Sequence, residues 1–231
     1  MRNLLWKEWH EQSWKLAFGC IVLSALVLIG LRARIIADDT MVMSVCFISI
    51  ILLPLLAGTG LIPSERAEGS FESLIAMPIA PWRILSAKTL MGVLLCVGPM
   101  LVVASISLWI AGDREMSRMD MVGLYMRSTM TILSLFFWML AATARLPSEA
   151  RAGLVAVGVF ICWMILTLGL NSASMPRMFF VASPFAYVNY IENQGRDRSG
   201  IWLIAMIQLA IASMLWICTV GALRESSRVG E

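Results

Sequence analysis

Apolar residues along this chain form long blocks that short clusters of charged residues separate. Six of these blocks approach the roughly 20 residues that a helix needs to cross the hydrocarbon layer of a bilayer. The blocks are too long, and alternate too little between polar and apolar positions, to be strands of a membrane barrel. We therefore predict an all-α, polytopic membrane protein with six transmembrane helices, at residues 16–36, 41–62, 89–111, 125–144, 153–170 and 201–222.

Charge gives the six spans an orientation. An even number of spans puts both chain termini on the same side of the membrane. If that side is the inner one, the inner segments carry ten Lys and Arg residues against eight outside, and they include all three lysines, Lys7, Lys15 and Lys88. The excess is small but follows the positive-inside rule. We expect both termini to be cytoplasmic.

The first 15 residues have a helical pattern of their own. At 100° per residue, Trp6 and Trp9 lie on one arc, whereas Lys7, Glu8 and Glu11 lie opposite them. This pattern predicts an amphipathic helix over residues 1–15 that lies in the membrane interface and leads into a transmembrane domain over residues 16–231. A plain helical extension of the first span is the alternative. Because the segment contains acidic residues and no small-residue cleavage site follows it, we interpret it as retained rather than as a signal peptide.

Two loops are unusual in composition. Between spans two and three, residues 63–88 are long and mixed in charge, and Ser70 to Met77 can form a short helix with Ser70 as its cap, ended by Pro78 and Pro81. Residues 171–200, between spans five and six, are too apolar for a solvated loop. We expect this connection to dip into the bilayer edge or to pack on the helices, with a break at Pro184.

The overall composition excludes several classes of protein. Hydrophobic residues make up 59% of the 231 residues and charged residues 14%, with a mean hydropathy of +0.81, so a soluble domain is excluded. The net charge is +3, but basic and acidic residues are interspersed, and we expect no nucleic acid partner. All five cysteines fall inside predicted spans without metal-ligand spacing, and we interpret them as small core residues.

The sequence contains no recognisable catalytic constellation. His10 is the only histidine, and neither a GxSxG elbow nor a GxxxxGK[ST] phosphate loop occurs. We expect no enzyme activity, no metal and no cofactor bound by this chain. Any energy from ATP must therefore come through a partner protein.

Polar groups within the spans are few. The span centres hold no titratable residues, which disfavours ion-coupled secondary transport. Ser49, Thr59 and Gln208 are the candidates for lining a substrate pathway, although hydrogen bonds to neighbouring helices or to their own backbone are the more ordinary use of such groups.

The loop between spans two and three resembles the cytosolic segment of type-2 ABC transporter permeases. That segment commonly reads E-x-x-x-G-[ST]-x-E-x-L-L-x-x-P-[IV]-x-x-x-x-I-L-x-x-K. The matching positions here are Glu68, Gly69, Ser70, Glu72, Leu74, Pro78, Ile79, Ile84, Leu85 and Lys88. The opening LLWKEWHEQSW is similar to the family's N-terminal connecting helix, and Ser183, Pro184 and Phe185 resemble its S-P-F before the last span. The likeness covers essentially the whole chain.

The resemblance implies a division of labour between chains. Two permease halves, identical or different, pair in the bilayer of the bacterial inner membrane, and each docks a separate ABC ATP-binding subunit, which binds ATP and Mg. Ser70 to Met77 would be the coupling helix, on which the ATP-binding subunits push when they close around ATP. A connecting helix would brace it; this helix contains Trp6, Lys7, Glu8, Trp9 and Glu11. The interface with the ATPase would comprise Glu65, Arg66, Glu68, Gly69, Ser70, Glu72, Leu74, Met77, Pro78, Arg83 and Lys88.

Three functions therefore compete. An ABC exporter permease is the leading hypothesis, with lipids, amphipathic drugs, peptides or glycolipid-like cargo all compatible with its apolar spans. A membrane scaffold or assembly factor would use the same loop to bind a cytosolic partner without moving a substrate. A secondary transporter or channel is the third, which the lack of charge inside the membrane disfavours.

Overall fold

The computed structural model describes residues 2–33, 37–63, 65, 80–110, 117–146, 148–172, 182–187 and 198–228. Within these ranges the chain is helical, and six helices are each long and apolar enough to cross a membrane. They are α1 (Arg2–Ala33), α2 (Asp38–Gly60), α3 (Pro81–Ile110), α4 (Arg118–Thr143), α5 (Glu149–Ser172) and α6 (Arg198–Arg228). The all-α prediction with six candidate spans is confirmed for this part of the chain.

The helices begin earlier than the apolar runs inside them. Helix α3 starts at Pro81, eight residues before the predicted span at 89. Proline suits the first position of a helix because that position needs no amide donor and already has the fixed φ of the ring. Lys88, which the sequence placed in the loop, therefore lies two turns inside α3. The helices also continue through Pro54 and Pro99.

Helix α1 is continuous from Arg2 to Ala33. The helix has no break at residues 15–16, between the N-terminal segment and the first span. This continuity is what the alternative, a helical extension of the first span, requires. Trp6 and Trp9 are exposed on the outside of the helix. The opposite arc does not face water throughout, because Glu8 is fully buried against its neighbours. This burial brings a carboxylate of the predicted polar face into the bundle.

The bundle is built from two principal helix pairs. Helix α1 packs along α3, and α2 packs along α4, with α5 and α6 against the α4 side. The core between them is apolar and includes Leu23, Leu53, Leu95 and Phe136. Gly58 of α2 contacts Met139 closely, and the Thr143 hydroxyl donates to the Gly58 carbonyl at 3.1 Å.

Cysteines occupy both the core and the surface of this bundle. Cys46 and Cys96 are buried, as expected for core residues, whereas Cys162 and Cys218 are exposed on the outside of α5 and α6. All five thiols are free. The expectation of core positions is therefore wrong for Cys162 and Cys218, since an apolar outer face in a membrane tolerates a thiol as readily as a core does.

One short segment of the connection between α5 and α6 packs on the helices. In residues 182–187, Ser183 is fully buried and Ala186 and Tyr187 pack with Ile204 of α6. Burial raises the pKa of the Tyr187 phenol above its ordinary value, so the ring remains neutral there. The Phe185 ring meets Phe160 of α5 edge-on at 5.8 Å. Packing on the bundle, one of the two expectations for this apolar connection, is what these residues show.

Candidate functional site

A buried ammonium group joins three parts of the chain at one end of the bundle. Lys88 of α3 is 1% exposed. Its Nζ donates to Glu8 Oε1 of α1 at 2.8 Å and to the carbonyl of Leu61 at 2.8 Å. It also lies 2.8 Å from Glu65 Oε2. The ammonium therefore makes two hydrogen bonds and a second ion pair.

The end of α2 depends on the same contacts. The last carbonyls of a helix have no amide partner within it and carry the negative end of the helix dipole. Lys88 takes the carbonyl of Leu61, and the Gln12 amide of α1 donates to the carbonyl of Gly60 at 3.0 Å. Side chains from two other helices therefore cap α2 where the chain leaves it for the loop.

A second lysine extends the network to the surface. Lys7 Nζ lies 2.9 Å from Glu65 Oε1 and 3.6 Å from Glu11, one helical turn along α1. Glu65 is 3% exposed. One of its carboxylate oxygens faces Lys7 and the other faces Lys88. We call the set Glu8, Glu65, Lys7 and Lys88 the buried ion network. Removing the buried Lys88 would leave two buried carboxylates uncompensated, which costs about 3–5 kcal/mol.

The network lies at the base of the loop that the sequence singled out. Of the predicted ATPase interface, Glu65 and Lys88 fall within it, and Arg83 is exposed in the first turn of α3, its guanidinium 5.3 Å from the Trp82 ring centroid. The remaining predicted interface residues lie outside the described part of the chain, together with the predicted coupling helix at 70–77: Arg66, Glu68, Gly69, Ser70, Glu72, Leu74, Met77 and Pro78.

The predicted connecting-helix residues divide into two groups. Glu8 and Lys7 belong to the buried ion network, whereas Trp6, Trp9 and Glu11 are exposed. Sequence reasoning placed Glu8 and Lys88 in separate segments and missed their contact. The available signal was a charged residue at the edge of an apolar helix, since such a charge needs a partner. Gln12 was missed altogether.

The predicted pathway-lining residues have partners within the chain. Ser49 is fully buried and donates to its own helix at Val45, and Thr59 does the same at Leu55. Gln208 of α6 accepts from Ser134 of α4 at 2.5 Å and donates to the carbonyl of Ser183 at 2.8 Å. The Ser183 hydroxyl lies 2.9 Å from that of Thr167 in α5. This second polar cluster links α4, α5, α6 and the 182–187 segment; a pathway role for Gln208 stays a prediction.

Comparison of the chain with protein-family models and with curated proteins finds no match in either.

Proposed function

We propose that this chain is the membrane-embedded permease subunit of an ATP-driven ABC transporter. It moves a substrate across the membrane, and a separate ATP-binding subunit supplies the energy. The direction proposed is export, and the proposed assembly contains two permease subunits. Six helices long and apolar enough to cross a membrane are the scaffold that this function needs. The order and spacing of the sequence motifs favour it over a scaffold protein.

The buried ion network is the observation that carries the proposal. It anchors both ends of the loop, through Glu65 at the start and Lys88 in the helix that follows, and ties them to α1 through Glu8. A loop that only connects two spans does not need a buried charge cluster at its base, because burying ions is costly. A loop that must transmit force benefits when the helices at its two ends cannot slide past each other.

The buried ion network determines which helices would move when the ATP-binding subunits push on the loop. In the proposed mechanism, closure of the ATP-binding subunits displaces the coupling helix at 70–77. The displacement reaches α2, α3 and α1 together, because separating Lys88 from Glu8 or Glu65 would leave buried charges unpaired. Helices that move as one body can then switch a central path between inward and outward access.

Reconstitution tests this function directly. The chain is co-expressed with a candidate ABC ATP-binding subunit from the same cell, and co-purification and ATP hydrolysis are measured in proteoliposomes. We expect a stable complex whose ATPase rate depends on the permease. Glu72→Lys should weaken docking and lower the coupled ATPase rate while membrane insertion remains normal, because it reverses a charge at the proposed interface.

A matched charge reversal controls for general damage. Asp120→Lys changes an exposed carboxylate in the first turn of α4, at the other end of the bundle, and should leave docking intact. Equal coupling in wild type and Glu72→Lys would contradict the interface assignment. Partner binding with no ATP-dependent transport or motion would favour the scaffold function instead.

A further inference from the structure

A cavity of about 480 Å³ lies beside the buried ion network, between α1, the end of α2 and the start of α5. Its polar wall comprises Glu11, Gln12, Lys15, Glu65 and Glu149, and Trp14 borders it. A volume of this size suits a small organic group rather than a single bare ion. Of the candidate pathway residues, Thr59 borders this cavity, whereas Gln208 does not.

Gln12 gives the cavity an unused acceptor. Its side chain is 4% exposed, and its Nε2 is committed to the carbonyl of Gly60. Its Oε1 has no hydrogen-bond partner among the described residues. A buried acceptor without a donor costs about 1–3 kcal/mol, so this wall is complete only when an N–H or O–H group enters.

The charges of the wall favour a cation. Lys7 and Lys88 balance Glu65 and the buried Glu8. Lys7 also lies 3.6 Å from Glu11, so the count that matters is of the whole region: the three lysines 7, 15 and 88 face the four glutamates 8, 11, 65 and 149. Ser148 caps α5, accepting from the Arg151 amide at 3.4 Å, and thereby fixes Glu149 at the first position of the helix. The region therefore keeps one net negative charge and presents acceptors from two helices, α1 and α5.

A divalent metal fits these charges less well. Carboxylate oxygens of Glu8, Glu11 and Glu65 lie within 4.8 Å of one another, a spacing that a metal could use. Lys7 and Lys88 already pair with Glu65 and Glu8, however, so a divalent ion held by these carboxylates would lie beside two ammonium groups that repel it. A monovalent cation on the Glu149 side of the cavity meets less repulsion.

We infer that this cavity binds a primary ammonium group, with Glu11, Glu149 and the Gln12 Oε1 as its acceptors. The group can come from a soluble amine or from the headgroup of an amine phospholipid. Exposed Trp6, Trp9 and Trp14 lie along the same stretch of α1, and tryptophan favours the headgroup level of a bilayer, which places the cavity within reach of lipid. The inference does not depend on the proposed transport function.

The test compares ligands of equal charge that differ by three N-methyl groups, which remove every N–H donor and enlarge the cation. Purified full-length chain is titrated with ethanolamine and with choline by ligand-observed NMR. In parallel, native mass spectrometry measures retention of phosphatidylethanolamine against phosphatidylcholine with matched acyl chains. We expect the primary ammonium to bind at least about fivefold more tightly than the quaternary one, which cannot donate to Gln12. Preference in the soluble pair alone assigns a soluble amine, and preference in the lipid pair alone assigns the headgroup.

Variants of the wall should change binding in opposite directions. Glu149→Gln should weaken ethanolamine binding about fivefold, whereas Lys15→Gln should strengthen it, because each changes the charge of the wall with opposite sign. Asp120→Asn, an exposed carboxylate on α4, should have no effect. Damage to the fold would lower binding in both cavity variants and could not produce the two signs.

Three results would overturn the inference. One is equal binding of primary and quaternary ligands in both pairs. Another is a Glu149→Gln variant that binds ethanolamine like the wild type. The third is tight binding of Mg²⁺ that ethanolamine does not displace, since the acidic wall would then be a metal site.

Discussion

At the scale of single residues, the ammonium of Lys88 joins three parts of the chain. Three acceptors surround its ammonium at 2.8 Å, and two of them are buried carboxylates from distant parts of the sequence. The charged end of this α3 side chain reaches the end of α2. Its contribution should therefore be measurable both as stability and as coupling between helices.

Lys88→Met should lower the free energy of unfolding by about 3–5 kcal/mol, because Glu8 and Glu65 would remain buried without their shared partner. The measurement is a denaturant titration in detergent micelles followed by helical circular dichroism. Arg83→Met removes an exposed cation from the first turn of the same helix and should change stability by less than about 0.5 kcal/mol. Adding Glu8→Gln to Lys88→Met should recover part of the loss. Equal stability of the Lys88 and Arg83 variants would show that the network carries no net stabilisation.

Gln208 gives a second test at this scale, in the apolar middle of the bundle. Gln208→Leu keeps the side-chain volume but removes the bonds to Ser134 and to the Ser183 carbonyl. We expect a loss of about 1–2 kcal/mol. Ser134→Ala in the Gln208→Leu background should add little, since the pair would already be broken. Additive losses in this double-mutant cycle would contradict the contact.

At the scale of helices, the length of the apolar runs made the six elements predictable, whereas their ends were not. Pro81 was interpreted as the stop of a preceding helix, yet it begins α3. Local pattern does not distinguish the two uses of proline, because both depend on the same missing donor. The pairing of Glu8 with Lys88 spans 80 residues of sequence. Tertiary packing sets that contact, and no local signal specifies it.

Helices α3 and α4 approach each other closely at Gly92. A β-carbon at Gly92 of α3 would meet the ring of Phe136 of α4 and would lie 2.8 Å from Leu61 Cδ1. Phe136 and Leu61 are both fully buried, so neither has free space into which to move. The absence of a side chain at Gly92 therefore permits α3 to approach α4.

Gly92→Ala should destabilise the protein by about 1–3 kcal/mol through overpacking, although alanine is the better helix former. Gly158→Ala is the matched control, because nothing lies within 4 Å of the added β-carbon; it should leave stability unchanged or raise it. Thermal unfolding of both variants in the same detergent gives the comparison. A Gly92→Ala variant as stable as Gly158→Ala would mean that α3 and α4 do not approach as described.

At the scale of the whole molecule, the two polar clusters divide the bundle into regions of different character. The buried ion network fastens α1, α2 and α3 at the base of the loop, and the Gln208 cluster fastens α4, α5 and α6 through the 182–187 segment. The apolar contact of α2 with α4 and of α3 with α4 joins the two sets. In a permease, apolar contacts of this kind can slide while each polar cluster holds its own helices together.

The central claim, that a nucleotide-hydrolysing subunit pushes on the loop between α2 and α3, is tested most directly by cross-linking in cells. A photoreactive amino acid is placed at residue 72 and, in a separate variant, at residue 120, and the cross-linked partner is identified by mass spectrometry. The account predicts that residue 72 captures a protein with a GxxxxGK[ST] phosphate loop and that residue 120 does not. Capture of that protein from both positions, or from neither, would contradict it.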